Sequence, residues 1–121
     1  MSAYQQLPSV GNFADDVLLA SQQRLIVLMF TAAWCTPCRL LARSLQQIQT
    51  QNVNTVSCLK IELTDAAPYA EAWQIQSLPT LCFVHHGQRR DSCIGLLPLA
   101  DLQARIDRIL SAPSRPIIAA D

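Results

Sequence analysis

The sequence predicts an α/β fold, a mixed central sheet of four to five strands with helices on both faces. Three observations predict it. Leu25-Ile26-Val27-Leu28-Met29-Phe30 is apolar without alternation, the pattern of a strand buried on both faces. Two long segments, from about Cys35 to Thr50 and from Leu99 to Leu110, carry apolar residues at helical spacing. Helical and strand patterns alternate before a hairpin pattern closes the series, so parallel strands joined by right-handed crossovers meet an antiparallel pair.

Each element follows from its residues. Met1 to Gly11 is polar and reads as an irregular lead-in. Asn12 suits a helix cap, Asp15 and Asp16 add negative charge to the first turn, and Phe13, Val17, Leu18 and Ala20 form an inward stripe ending near Ser21. After the apolar strand, the helix from Cys35 turns Leu40, Leu41, Leu45 and Ile48 inward and Arg39, Arg43, Gln46 and Gln47 toward water. Thr55 to Leu63 reads as a second strand, and Ala66 to Trp73 as a short helix with Pro68 in its first turn. Thr80 to Val84 and Arg89 to Ile94 form a hairpin with Gly87 in the turn and Arg89, Arg90 and Asp91 on a solvated face. The last helix points Leu99, Leu102, Ile106, Ile109 and Leu110 inward. Pro113-Ser114-Arg115-Pro116 ends it, so residues 1–112 read as a single domain and 113–121 as a flexible tail.

With 121 residues the chain buries one core without a disulfide or metal staple. Half its residues are hydrophobic, 15% are charged and the net charge is zero. No basic excess points to nucleic acid or a membrane surface. The lead-in lacks the apolar core of a signal peptide, and the longest apolar run is far short of a bilayer span. A soluble, cytoplasmic monomer is therefore expected. In a reducing compartment a close cysteine pair is catalytic or metal-binding rather than structural, and five cysteines cannot all pair.

Cys35 and Cys38, in Trp34-Cys35-Thr36-Pro37-Cys38, lie after the buried strand and at the start of the long helix. Free N–H groups and the dipole at a helix N-terminus stabilise a thiolate, the form that attacks disulfides. The i, i+3 spacing places the sulfurs one turn apart. Cys35, nearer the terminus, is the expected attacking thiol, and Cys38 resolves the mixed disulfide. Pro37 stiffens the turn where its missing N–H costs nothing. Structural zinc requires four ligands; Cys58, Cys82 and Cys93 form no second close pair, and His85 and His86 are adjacent, so no metal is expected. The three remaining cysteines read as small buried hydrophobes, with a Cys82–Cys93 bridge or a modified, exposed Cys93 as alternatives. The two histidines read as turn residues.

From about Asn12 to Leu110 the chain resembles the thioredoxin family. Ala33-Trp34-Cys35-Thr36-Pro37-Cys38 looks like the family's WCGPC site, and Leu78-Pro79-Thr80 like its cis-proline loop. Gly87, Gly95 and Lys60 fall at family positions. The resemblance implies a cis Leu78–Pro79 bond and a docking surface of Trp34, Thr36, Pro37, Leu78, Pro79, Gly95 and Leu96. It implies protein disulfide reduction by the Cys35/Cys38 dithiol, with electrons from a reductase that draws on NADPH or ferredoxin and no bound cofactor. Lys60 is expected either to favour the thiolate or to extend over the surface as an ordinary lysine. Three departures stand out. Met29 replaces the family's buried aspartate, Thr31 replaces the first tryptophan of the W-x-x-W pattern, and Thr36 replaces glycine. They leave open a specialised redox partner, oxidase or isomerase for a dedicated client, and a non-catalytic binding or assembly module.

Overall fold

The computed structural model describes residues 3–112. The element order is α1 (Ala3–Gln6), a π-helical segment Ala14–Leu19 running into a 3-10 turn Ala20–Gln22, then β1 (Leu25–Thr31), α2 (Thr36–Gln51), β2 (Val56–Glu62), α3 (Leu63–Ala72), β3 (Thr80–His85), β4 (Gln88–Ile94) and α4 (Leu99–Ser111). The four strands lie in the order β2-β1-β3-β4. β1 and β2 are parallel, while β3 runs antiparallel to both β1 and β4.

The unbroken apolar run of β1 serves two cores at once. Leu25, Val27 and Met29 join a cluster with Leu41, Leu45 and Ile48 of α2 and Leu102, Ile106 and Ile109 of α4. Ile26, Leu28 and Phe30 join the opposite cluster with Phe13, Val17, Ile61, Cys82 and Val84. Phe13 stacks on Tyr69 with centroids 4.2 Å apart and meets the edge of Trp73 at 5.3 Å, which fastens α3 to the second face. The hairpin turns at His86 and Gly87, both at positive φ (55° and 76°), the two-residue geometry matched to strand twist.

Several expectations are corrected. The lead-in is not wholly irregular: α1 packs on α2, and Ser9 bridges Lys60 in parallel, with Lys60 N–H donating to Pro8 O at 2.8 Å and Val10 N–H to Lys60 O at 2.9 Å. These bonds cover the outer edge of β2. The helix after Asn12 is π-helical, and nothing in its apolar spacing distinguishes that wider turn from an α-helix. Leu40 and Leu110 are exposed, each lying just off the inward stripe of its helix. α3 begins at Leu63, with extended Glu62 as its cap, so strand passes to helix without a loop. Pro68 consequently sits inside α3, not in its first turn, and leaves one turn without its hydrogen bond. The charged face of β4 is also engaged: Arg89 Nη1 donates to Trp73 O at 2.7 Å, and Asp91 pairs with Arg105 at 2.7 Å. Residues 113–121, expected to form a tail, lie outside the described residues.

Candidate active site

β1 delivers the chain to the site. After Thr31 the backbone turns through Ala32 and Ala33, with Cys35 N–H donating to Ala32 O at 3.0 Å and Arg39 Nη2 donating to Ala33 O at 2.8 Å. Cys35 caps α2 in extended backbone (φ −87°, ψ 103°), and its Sγ accepts the Cys38 N–H at 3.3 Å. A hydrogen bond from a free helical N–H to sulfur favours negative charge on that sulfur. Pro37 lies in the first turn of α2. Cys35 and Cys38 form a disulfide with Cα atoms 5.3 Å apart.

Cys35 is 4% exposed and Cys38 fully buried, while neighbouring Trp34 is 75% exposed. Thr36 and Pro37 are also exposed. The pair thus sits just beneath the surface with its outer sulfur on Cys35, under an apolar rim. Leu78 packs against the cluster that holds the pair, and the Leu78–Pro79 peptide is cis. Thr80 Oγ1 donates to Ser77 O at 2.6 Å, and Gly95 N–H donates to Pro79 O at 2.9 Å. Gly95 holds φ +87°, a conformation open to glycine at little cost. That bond ties the end of β4 to the proline loop.

Trp34 and Leu78 line one open cleft of about 320 Å³ together with Leu63, Ile75, Gln76 and Ser77. Of the residues expected at the docking surface, Trp34 and Leu78 share this cleft, Pro79 and Gly95 are hydrogen-bonded, and Leu96 is exposed beyond them. Leu63, Ile75, Gln76 and Ser77 escaped the sequence reading. Ser77 and Gln76 were signalled only by preceding Leu78-Pro79, and Leu63 was read as the end of a strand.

Lys60 is not a surface lysine. It is 7% exposed, in register with Met29, and its Nζ donates to Tyr4 O at 2.6 Å while lying 4.4 Å from the Tyr4 ring centroid. Burial lowers its pKa, opposed by the charge of Glu62. Tyr4 Oη donates to Glu62 Oε1. Burial and that bond raise the phenol above its ordinary pKa. Met29 is fully buried in the same cluster as Cys35 and Cys38, so the strand beneath the pair brings no charge.

The other thiols are reduced and separate. Cys58 is buried, and burial pushes its pKa up to about 12. Cys93 pairs with Leu81 and Cys82 with Ser92, so Cys82 and Cys93 point to opposite faces of the hairpin. That geometry removes the Cys82–Cys93 bridge. His85, beside the hairpin turn, has a pKa lowered by burial and by the neighbouring His86 and Arg90 charges. Among the described residues no group of three or more His, Cys, Asp and Glu side chains is placed to hold a metal.

The family model Thioredoxin matches residues 7–108. A thioredoxin from Synechocystis sp. is 32% identical over 110 residues, 91% of this chain and 100% of that protein. The chloroplastic thioredoxin M-type of Pisum sativum is 27% identical over 108 residues, 89% of this chain and 63% of that protein. The chloroplastic thioredoxin M5 of Oryza sativa is 31% identical over 98 residues, 81% of this chain and 56% of that protein. The chain therefore spans somewhat less than two thirds of either plant protein. Oxidised mitochondrial thioredoxin 3 from Saccharomyces cerevisiae shares the fold, with a TM-score of 0.74 at 22% identity over 88% of this chain and 99% of that chain. No described helix is long and apolar enough to cross a membrane. Because the family model takes in nearly the whole domain, both cysteines included, and the Synechocystis relative matches over its full length, this chain belongs to the thioredoxin family.

Proposed function

We propose that the chain is a thiol–disulfide oxidoreductase that reduces protein disulfides. The observation that carries this reading is the Cys38 N–H donated to Cys35 Sγ at the cap of α2, with Cys38 buried one turn behind. The reduced Cys35 thiolate attacks one sulfur of a client disulfide, and the other client sulfur leaves as a thiolate. Cys38, deprotonated, then attacks Cys35 Sγ. The Cys35–Cys38 bond forms, the mixed disulfide breaks, and the second client thiolate departs. Two electrons pass to the client, whose sulfurs take up two protons.

A reductase drawing on NADPH or ferredoxin would restore the dithiol, and the cycle needs no resident cofactor. In the proposed setting the chain is a monomer of a reducing compartment, the cytoplasm, carrying electrons from reductase to client. The Trp34–Leu78 cleft, with Pro79 and Gly95 beside it, would take an extended client segment. Cys38→Ser tests the cycle, because it stalls the reaction at the mixed disulfide. Incubation with a disulfide protein should yield a Cys35-linked adduct that dithiothreitol releases, with none formed by Cys35→Ser. If both variants retained full insulin-reducing activity, the reading would fall.

The uncharged Met29 favours a second reading, a specialised oxidant or isomerase. A markedly oxidising potential against glutathione would select it, and a strongly reducing one the general reductase.

A further inference from the structure

We propose that Tyr4 is a positioning residue of the redox pair, seated between Arg39 and Lys60 so that two positive charges stay fixed at the edge of the cluster that holds Cys35 and Cys38 and favour the reduced form; this rests on the dithiol cycle proposed above. Tyr4 belongs to the same buried cluster as Ala32, Cys35 and Cys38. Its ring centroid lies 4.4 Å from Lys60 Nζ and 5.6 Å from the Arg39 guanidinium carbon. Its carbonyl accepts from Lys60 at 2.6 Å and its hydroxyl donates to Glu62, so the ring is held at both ends.

Arg39 connects this cluster to the backbone that carries the cysteines. It follows Cys38 directly, donates Nη2–H to Ala33 O at 2.8 Å, and donates its backbone N–H to Cys35 O at 3.4 Å. Buried Lys60 is screened less than a cation free in water, while Arg39 is exposed and acts through being held in place on the Tyr4 ring. Removing the ring frees Arg39 to swing into solvent and takes a wall from the Lys60 site. The carboxylate of Glu62 faces the same ring, so losing its phenol partner is a separate effect that the variants must separate.

The equilibrium that reads the effect is balanced: one protein disulfide and two glutathione thiols give one protein dithiol and one glutathione disulfide, and the Cys35 proton passes to solvent where the thiolate forms. Tyr4→Ala should shift this equilibrium toward the protein disulfide by about three- to tenfold and slow alkylation of reduced Cys35 by uncharged iodoacetamide at neutral pH to a similar extent. Tyr4→Phe keeps the ring between the cations and should stay within about twofold of the parent. In an Arg39→Gln, Lys60→Met background the Tyr4→Ala shift should largely vanish, which simple loss of packing would not produce. A folded Tyr4→Ala variant with the parent equilibrium, or an undiminished shift in that background, overturns the proposal. If Tyr4→Ala does not fold, Arg39→Gln and Lys60→Met decide: unchanged equilibria in both overturn it. A parent pair that never exchanges with glutathione would instead sink the dithiol cycle itself.

Discussion

Met29 packs against the same apolar cluster as the cysteines, with Lys60 and Leu81 as its register neighbours on either side. A carboxylate there would add a base within the core and share a sheet face with a buried ammonium. Met29→Asp should therefore speed turbidimetric insulin reduction, by quickening release of the mixed disulfide. It should also cost about 1–3 kcal/mol of stability, because the new charge is buried with only Lys60 to answer it. An unchanged reduction rate would contradict this account of Met29. At this scale the reactive pair was legible, since two cysteines one turn apart at a strand-to-helix junction have few other uses. Tyr4 was not legible. A lone aromatic in a polar lead-in gives no sign that it will reach Lys60, far away in sequence.

Among the elements, the hairpin turn and the 3-10 turn before β1 are joined through one residue. Ser21 is buried, its Oγ donates to Leu18 O at 2.6 Å and accepts Gly87 N–H at 2.9 Å, and its carbonyl accepts His86 N–H at 2.8 Å. Ser21→Ala strands a carbonyl and an N–H and should cost about 1–3 kcal/mol, read as a lower midpoint in urea. The start of the π-helical segment depends on Asp16, whose carboxylate accepts Gly11 N–H at 2.7 Å and Asn12 N–H at 3.0 Å. These bonds lower its pKa from the ordinary 3.8. The stabilisation is complete above that value and is lost as pH falls through the lowered one. Asp16→Asn should thus melt below the parent at neutral pH, with the two curves converging as pH falls below the ordinary carboxylate range and through the lowered value. Element types were readable from apolar period, as in β1 and α4. The Asn12 cap was readable too, its Oδ1 accepting Asp15 N–H at 2.9 Å, but the return bonds to Asp16 and a helix opening directly from Glu62 were not, because they depend on backbone direction rather than hydrophobic spacing.

Across the whole molecule, the mixed sheet was legible because β1 had to be covered on both faces and Gly87 marked the hairpin. The cleft floor at Leu63 and Ile75 was not, since it is assembled from the start and the exit of α3 only once that helix has packed. The same architecture distributes the three free thiols. Cys58 and Cys93 lie on strands β2 and β4, separated by two others, and at sheet spacing their backbones are about 14 Å apart. Cys82 faces the opposite cluster. Cys58 and Cys93 are therefore beyond disulfide reach, usually below about 7 Å between Cα atoms, and Cys82 is kept from both by pointing to the other face of the sheet. Iodoacetamide should label half-buried Cys93 first in the native oxidised protein, and Cys58 and Cys82 only on unfolding, as peptide mass mapping would record. Prior labelling of Cys58 would show that the β2 edge opens. The separation also makes the chain a carrier of fixed capacity. A coulometric titration of the folded protein should end at two electrons per molecule, with no second wave, because the remaining sulfur has no neighbour with which to store charge.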